Sequence, residues 1–310
     1  MKLLIIPSCN LPMPPVLGGA VQTLINDFLE WNEISKQFDI TVASIYNPAA
    51  EMRAQEYIFT KFKFYKNENK TIRTIMEKIV RVVGHYEIGD SFINNVCNDL
   101  QKDSYDIILV ENVKNYGAII KRYFSCPVLL HLHNEYFKQN KPNMKRMIAS
   151  YNSIIAVSSY IKNTVLNCSE MAKVSVLLNG IDKSEFDPSK KNKMLLRQKY
   201  GFSGIDTIFI SAARICEDKG TLETVKAFNL LSNTSNARAK LIILGSKDYG
   251  KTIRDEYFEK VLAEANKCWE NRKELCKMYD FDSIEIIDCA RINSDMEVIK
   301  HRLKKAKEEK

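Results

Sequence analysis

The chain has 310 residues, 45% of them hydrophobic and 27% charged. That is a globular composition, too long for a single core to be the first expectation, and unlike a disordered or collagen-like chain. A formal net charge of +8 suits nucleic acid, an anionic membrane or a phosphorylated small molecule without choosing among them.

The N-terminal apolar run, Leu3–Ile6, is too short for a secretory leader and stops at Pro7. It reads instead as a buried strand. Val21, Leu24, Ile25, Phe28 and Leu29 then recur at helical spacing, which predicts a helix over Ala20–Glu33. Ile40–Ile45 is a second strand. The alternating run Phe59–Tyr65 is a third. Ile72, Ile75, Ile79 and Val83 mark one face of a long helical region. Strands follow at Ile107–Val110, Val128–Leu132, Ser153–Val157 and Val174–Leu178, with a helix over Ser159–Asn167.

After a linker at Asp187–Lys193, with Pro188 and a lysine run, the alternation restarts. Ile208–Ala212 is a strand, Leu222–Leu231 a helix and Leu241–Leu244 a strand. A longer helix spans Thr252–Lys277, Ile284–Ile287 is a strand, and Met296–Lys307 is a basic final helix. The alternation implies an α/β protein with mainly parallel sheets covered on both faces. We place a first Rossmann-like domain at 1–187 and a second at 188–310. The second has three strands against about seven, so an incomplete second domain is expected.

Eight cysteines are scattered without a CxxC pair. A zinc module is therefore not expected, and reduced core thiols in a cytoplasmic protein are. No run approaches the ~18 apolar residues of a membrane span. No nucleic-acid recognition motif is present, and the aromatics lie in apolar patterns rather than among the cations, so nucleic acid is not the expected partner.

Four segments stand out, three of them where ligands of parallel sheets bind. Gly18 and Gly19 precede the first long helix. Glycines admit close backbone approach, and a helix N-terminus favours phosphate; the plain-turn reading also stands. The absence of GxGxxG and of a Walker lysine argues against ordinary dinucleotide or ATP binding. HLHNEY, His131 to Tyr136, ends a strand. Two histidines two apart share a side of a strand, which allows a metal pair, a proton-handling or substrate-contacting histidine, or a structural one. A metal needs further ligands, and His85 and His301 offer no metal-like neighbourhood, so no metal is assigned. Arg214 and Lys219-Gly220 follow a strand of the second unit; together they form a diphosphate clamp or two solvated charges. LLNGIDKSEFDP, Leu177 to Pro188, is a turn segment that no reaction requires.

These segments occur together and in order in glycosyltransferase family 4. The chain resembles that family over about residues 1–250, through Gly18-Gly19, His133-Asn134, Ala156–Asn163, the NGID segment and Arg214 with Lys219-Gly220. The resemblance implies the GT-B fold, two Rossmann-like domains facing a cleft. It implies transfer of a hexosyl group from a nucleotide-diphosphate sugar with retention, without a cofactor or an obligatory metal. Gly18, Gly19, Arg214 and Lys219 would hold the donor diphosphate, the glycines alternatively facing the acceptor. His133 would lie near the transferring sugar, with Asn134 and Glu135 as acceptor or sugar contacts. The partners implied are a nucleotide sugar and a glycan or lipid-linked acceptor in cell-surface glycan synthesis. A cytoplasmic location follows, peripheral at the inner membrane face if the basic final helix meets anionic lipid; a simply exposed terminal helix is the other reading.

Two departures stand out. Ala213 occupies a position where the family usually has glycine. The family's two glutamates, eight positions apart in a Pro-Ser and Phe-Gly context, have no counterpart. Glu256 and Glu264 have the spacing but fall in a charged helix and read as its solvated face. A non-catalytic partner subunit, or an inactive or split product, is therefore the alternative.

Overall fold

A computed structural model describes residues 1–66, 90–138, 143–183, 186–190, 192–200, 202–234, 239–247, 254–266 and 285–288. The helical region around Ile72–Val83, the basic helix Met296–Lys307, His85, His301 and Cys268, Cys276 and Cys289 lie outside them. The chain divides into two compact units, Met1–Lys183 and Ser184–Lys310.

In the first unit seven parallel strands run in the order β3-β2-β1-β4-β5-β6-β7. They are β1 (Lys2–Ile6), β2 (Asp39–Ile45), β3 (Thr60–Tyr65), β4 (Ile107–Glu111), β5 (Val128–Leu132), β6 (Ser153–Ala156) and β7 (Val174–Val176). Both faces are covered, as a parallel sheet requires, and side-chain alternation divides β1 between two cores. Leu4 and Ile6 join Ile108, Val110, Val128, Leu130 and Ile154 on one face; Leu3 and Ile5 join Ile25, Leu29, Ile40 and Val42 on the other. Each such fully buried aliphatic side chain contributes about 1.5–3 kcal/mol.

Helix α1 (Ala20–Ser35) supplies the second core through Ile25 and Leu29. It ends at Lys36, whose backbone is left-handed at φ 52°, and there the Asn32 amide bonds both the N–H and the C=O of Phe38, each at 3.0 Å. The carboxylate of Glu33, near the end of α1, accepts the backbone N–H groups of Ile58, Phe59 and Thr60 at the start of β3. One helix end thereby sets where a strand begins.

Four further helices of this unit are α2 (Pro48–Ala54), α3 (Ser91–Leu100), α4 (Gly117–Ile120) and α5 (Met144–Ala149), of which α2, α4 and α5 carry too few residues for a periodic pattern. Of these, α3 buries Phe92, Ile93, Val96, Cys97 and Leu100 and is capped by Asp90, which accepts from Ile93 N at 3.0 Å. Ser158 caps α6 (Ser159–Cys168) in the same manner. The seventh strand is shorter than expected. Leu177 and Leu178 lie beyond it and are exposed.

The second unit holds a parallel sheet in the order β10-β9-β8, from β8 (Thr207–Ala212), β9 (Ala239–Gly245) and β10 (Glu285–Asp288). Around it lie α7 (Lys193–Lys199), α8 (Thr221–Thr234) and α9, residues 256–266. Part of the expected linker is thus ordered: Pro188–Lys190 is a 3-10 turn, and α7 begins at Lys193 with Asn192 as its cap. Ile215, Val225, Phe228, Leu241, Ile243, Phe258 and Val261 form its core. In β8, by contrast, Phe209 and Ile210 are exposed.

Among the described residues no helix is long and apolar enough to cross a membrane. Cys9, Cys97 and Cys168 are buried, Cys126 and Cys216 partly so, and none of these five is in a disulfide.

Candidate functional site

The direction of chain growth reverses between β1 and β4. From that neighbouring pair the strand order runs outward through β2 and β3 on one side and β5 to β7 on the other. Loops leaving the carboxyl ends of two such strands diverge and leave a crevice where open α/β sheets bind ligands. Gly18 and Gly19 end the loop from β1, Glu111 closes β4, and His131 and His133 lie at the end of the next strand, β5.

The glycine pair is demanded by the backbone. Gly18 has φ 77° and Gly19 φ 111°, left-handed space that side chains avoid. A Cβ on Gly19 would also meet Leu11 Cδ1 at 2.7 Å and collide with the Gln22 amide. Gly19 is the N-cap of α1; it offers no side chain to the first-turn N–H groups, and no acidic residue occupies that turn. Those donors and the positive helix end therefore remain available to an anion.

The histidines are held by a residue that sequence reasoning did not single out. Glu111 stands opposite His131 in the parallel register. Its Oε2 lies 3.0 Å from His133 Nε2 and 3.2 Å from His131 Nδ1. All three side chains are largely buried, with exposures of 4% for Glu111, 14% for His131 and 7% for His133. Burial alone would raise the Glu111 carboxyl, but the hydrogen bonds from His131 and His133 and their charges outweigh it and hold the group below the usual carboxylate range.

Asn112 follows with a left-handed φ of 62°, a conformation asparagine tolerates better than most residues. Its backbone N–H donates to the His131 carbonyl at 2.8 Å and its Oδ1 accepts from His133 N at 3.1 Å. The strand ends of β4 and β5 are laced together in this way. The signal available in the sequence was the polar pair Glu111-Asn112 at the close of an apolar strand.

Asn134 and Glu135 are exposed beyond His133. Asn134 Nδ2 contacts the Tyr136 hydroxyl at 3.4 Å, and Glu135 accepts from the Tyr160 hydroxyl of α6 at 3.0 Å. The Tyr136 carbonyl in turn accepts from Lys114 Nζ at 3.1 Å. Burial, together with the charge of Lys138, lowers the Lys114 ammonium.

Glu111, His131 and His133 form the one group, among the described residues, that offers three metal-type ligand atoms within 4.8 Å of one another. Their geometry suits hydrogen bonds better than an ion. Two imidazoles sharing a tetrahedral metal at about 2.0–2.1 Å hold their ring centres roughly 5 Å apart. Here the centres are 4.2 Å apart, and each ring turns a nitrogen to within hydrogen-bond distance of the carboxylate.

In the second unit, Arg214 and Lys219 lie on the loop leaving the carboxyl end of β8, and both are exposed. Neither side chain has a hydrogen-bond or ion-pair partner among the described residues, so both cations are available to an anion. Lys219 closes a 3-10 turn, and Gly220, at φ 63°, makes the left-handed step into α8. Ala213 is pinned to the sheet, its N–H donating to the Leu244 carbonyl at 3.0 Å.

The expected solvated face of α9 holds for one glutamate of two. Glu256 is exposed and pairs with Lys260 at 2.7 Å. Glu264 is half-buried instead, and accepts from Asn229 Nδ2 of α8 at 3.3 Å. The reason is helix packing: a position eight residues on has turned towards the neighbouring helix.

No protein-family model matches the chain. It is similar to "Putative glycosyltransferase YtcC" of Bacillus subtilis (strain 168), 24% identical over 272 residues, covering 83% of this chain and 59% of the relative. "Spore coat protein SA" of the same organism is 24% identical over 268 residues, covering 83% and 64%. "Lipopolysaccharide 1,2-N-acetylglucosaminetransferase" of Salmonella typhimurium is 27% identical over 168 residues, covering 54% and 41%. The chain thus spans less than two thirds of the length of each of these relatives. Among solved structures, the glycosyltransferase from Rickettsia africae ESF-5 matches with a TM-score of 0.59 at 15% identity, covering 93% of this chain and 68% of that one. The fold is the α/β fold of the GT-B glycosyltransferases.

Proposed function

We propose that this chain carries the acceptor-side unit and the diphosphate-gripping loop of a family 4 glycosyltransferase. That enzyme moves a hexosyl group from a nucleotide-diphosphate sugar, with retention, to a polysaccharide or glycolipid acceptor. The observation that carries the reading is the convergence of Gly19, Glu111 and His133 on the carboxyl ends of β1, β4 and β5, around the point where strand order reverses. The similarity to named glycosyltransferases supports it.

The division of labour follows from charge. Departure of a nucleoside diphosphate builds negative charge on its oxygens, and fixed cations stabilise that charge. Arg214 and Lys219, exposed and unpaired among the described residues, supply it. The bare N–H groups behind Gly18 and Gly19 suit a further phosphate or acceptor oxygen. His133, with Asn134 and Glu135 beyond it, faces hydroxyl-rich chemistry. No cofactor and no metal enter this scheme.

Calorimetry with UDP, GDP and ADP tests the reading. Binding of one of these in the micromolar range is expected. Arg214→Ala and Lys219→Ala should each weaken it about tenfold or more, the loss of one charge-assisted contact of about 1.5–3 kcal/mol. Absence of binding to all three, together with no nucleoside diphosphate released from a panel of sugar donors, would refute it. A second reading, a glycosyltransferase-like partner subunit without turnover, is favoured by the engagement of Glu256 and Glu264 within α9 and with α8. Nucleotide binding without release from any donor would select it.

A further inference from the structure

An ionised carboxylate only accepts hydrogen bonds, so each ring nitrogen that faces Glu111 must carry a proton. His131 presents Nδ1 to the carboxylate and His133 presents Nε2. As neutral rings, the two histidines are therefore held in opposite tautomers by one carboxylate. Of the two remaining nitrogens, His131 Nε2 is buried without a partner, whereas His133 Nδ1 is not closed off in that way.

We propose that Glu111 is a positioning residue which fixes His133 as its Nε2–H tautomer, leaving Nδ1 as a bare acceptor for a hydroxyl of the sugar or acceptor. The proposal rests on the transferase reading only in that last clause; the tautomer stands on geometry alone. A neutral imidazole free to choose would divide between two tautomers, and only one of them can accept a hydrogen bond at Nδ1. A carboxylate on the adjacent strand removes the choice. Three further contacts keep the arrangement rigid: the β4–β5 pairing of Glu111 with His131, the Asn112 N–H on the His131 carbonyl, and the Asn112 side chain on His133 N. The consequence for function is directional. A hydroxyl that meets Nδ1 must donate, so the site recognises a sugar O–H as a proton donor and holds its oxygen lone pairs free for chemistry.

The test is long-range 1H–15N spectroscopy of the histidine rings in the full chain, labelled with 15N, near pH 8. The expected pattern is a protonated Nε2 and a bare Nδ1 for His133, and the reverse for His131. Glu111→Leu, which offers neither ring an acceptor, should leave His133 exchanging between both tautomers while the amide spectrum of the sheet is retained. His131→Phe provides the control if that variant does not fold: it leaves the Glu111–His133 bond intact, and His133 should keep its tautomer. A protonated Nδ1 on His133 in the unaltered protein would overturn the proposal, as would an unchanged His133 pattern in Glu111→Leu. So would uptake of one equivalent of Zn2+ at micromolar concentration with loss of both ring N–H signals, which would make the three residues metal ligands. The readout needs no sugar donor. A failed tautomer leaves the transferase reading standing, and an inactive protein with the expected tautomers strikes only that reading.

Discussion

Replacing Tyr151 by phenylalanine removes a single oxygen, and the structure gives that oxygen two duties. The Tyr151 hydroxyl donates to the Val113 carbonyl at 2.7 Å and accepts from the Gly117 backbone N–H at 2.9 Å. It ties together the stretch that runs from the Glu111–Asn112 strand end into α4. A phenylalanine ring fits the same space and leaves two buried backbone groups without partners. At about 1–3 kcal/mol for each orphaned group, the expected loss is about 2–6 kcal/mol, and for a unit of this size a drop in Tm of about 4–24 °C. Urea unfolding followed by near-ultraviolet circular dichroism should show an unchanged slope and a lower midpoint. Hydrogen exchange at the Gly117 amide should speed up more than at amides of β1. The pH dependence has a definite sign. Burial raises the Tyr151 phenol above its ordinary value, so the native state resists ionisation and stability falls as pH climbs past the unfolded value near 10. The Tyr151→Phe protein should lack that loss. A destabilisation below about 0.5 kcal/mol, or unaltered Gly117 exchange, would show that the hydroxyl does not brace this loop.

Other substitutions probe the remaining parts of the site. Gly19→Ala forces a side chain into left-handed backbone and against Leu11 and Gln22, at a cost of about 1–3 kcal/mol; thermal unfolding reads it, and an unchanged Tm would contradict the geometry. Arg214→Ala and Lys219→Ala leave exposed positions, so each should shift stability by no more than about 0.5 kcal/mol while weakening nucleotide binding. The Glu111 carboxyl is lowered in the fold, so its contribution is present above the unfolded value near 4.3 and fades as pH falls through the lower native value. Glu111→Gln should flatten that acid limb of a stability–pH curve, and an identical limb in both proteins would exclude the assignment. Burial pushes the Cys97 thiol up to about 12. It should resist alkylation at pH 8 until denaturant is added, whereas mass spectrometry showing native Cys97 labelled as fast as Cys216 would oppose the buried placement.

The strands were legible because a parallel strand buried on both faces must be written as a continuous apolar run. Leu3–Ile6 and Ile107–Val110 can be read that way with no partner in view, and α1 shows itself by the spacing of Ile25 and Leu29. Glycines 18 and 19 were legible for a related reason: few other residues adopt their φ, so the sequence records the turn. Short helices such as α4 and α5 left no such trace, since one or two turns hold too few residues to repeat a pattern. The partnership of Glu111 with His131 and His133 belongs to the tertiary structure alone. Twenty or more residues separate them along the chain, and only the β4–β5 register brings the carboxylate to the rings. Side-chain periodicity encodes which face a residue takes within its own strand. Which strand lies beside it is decided by burial summed over the whole sheet, and that sum is where the site acquires its third member.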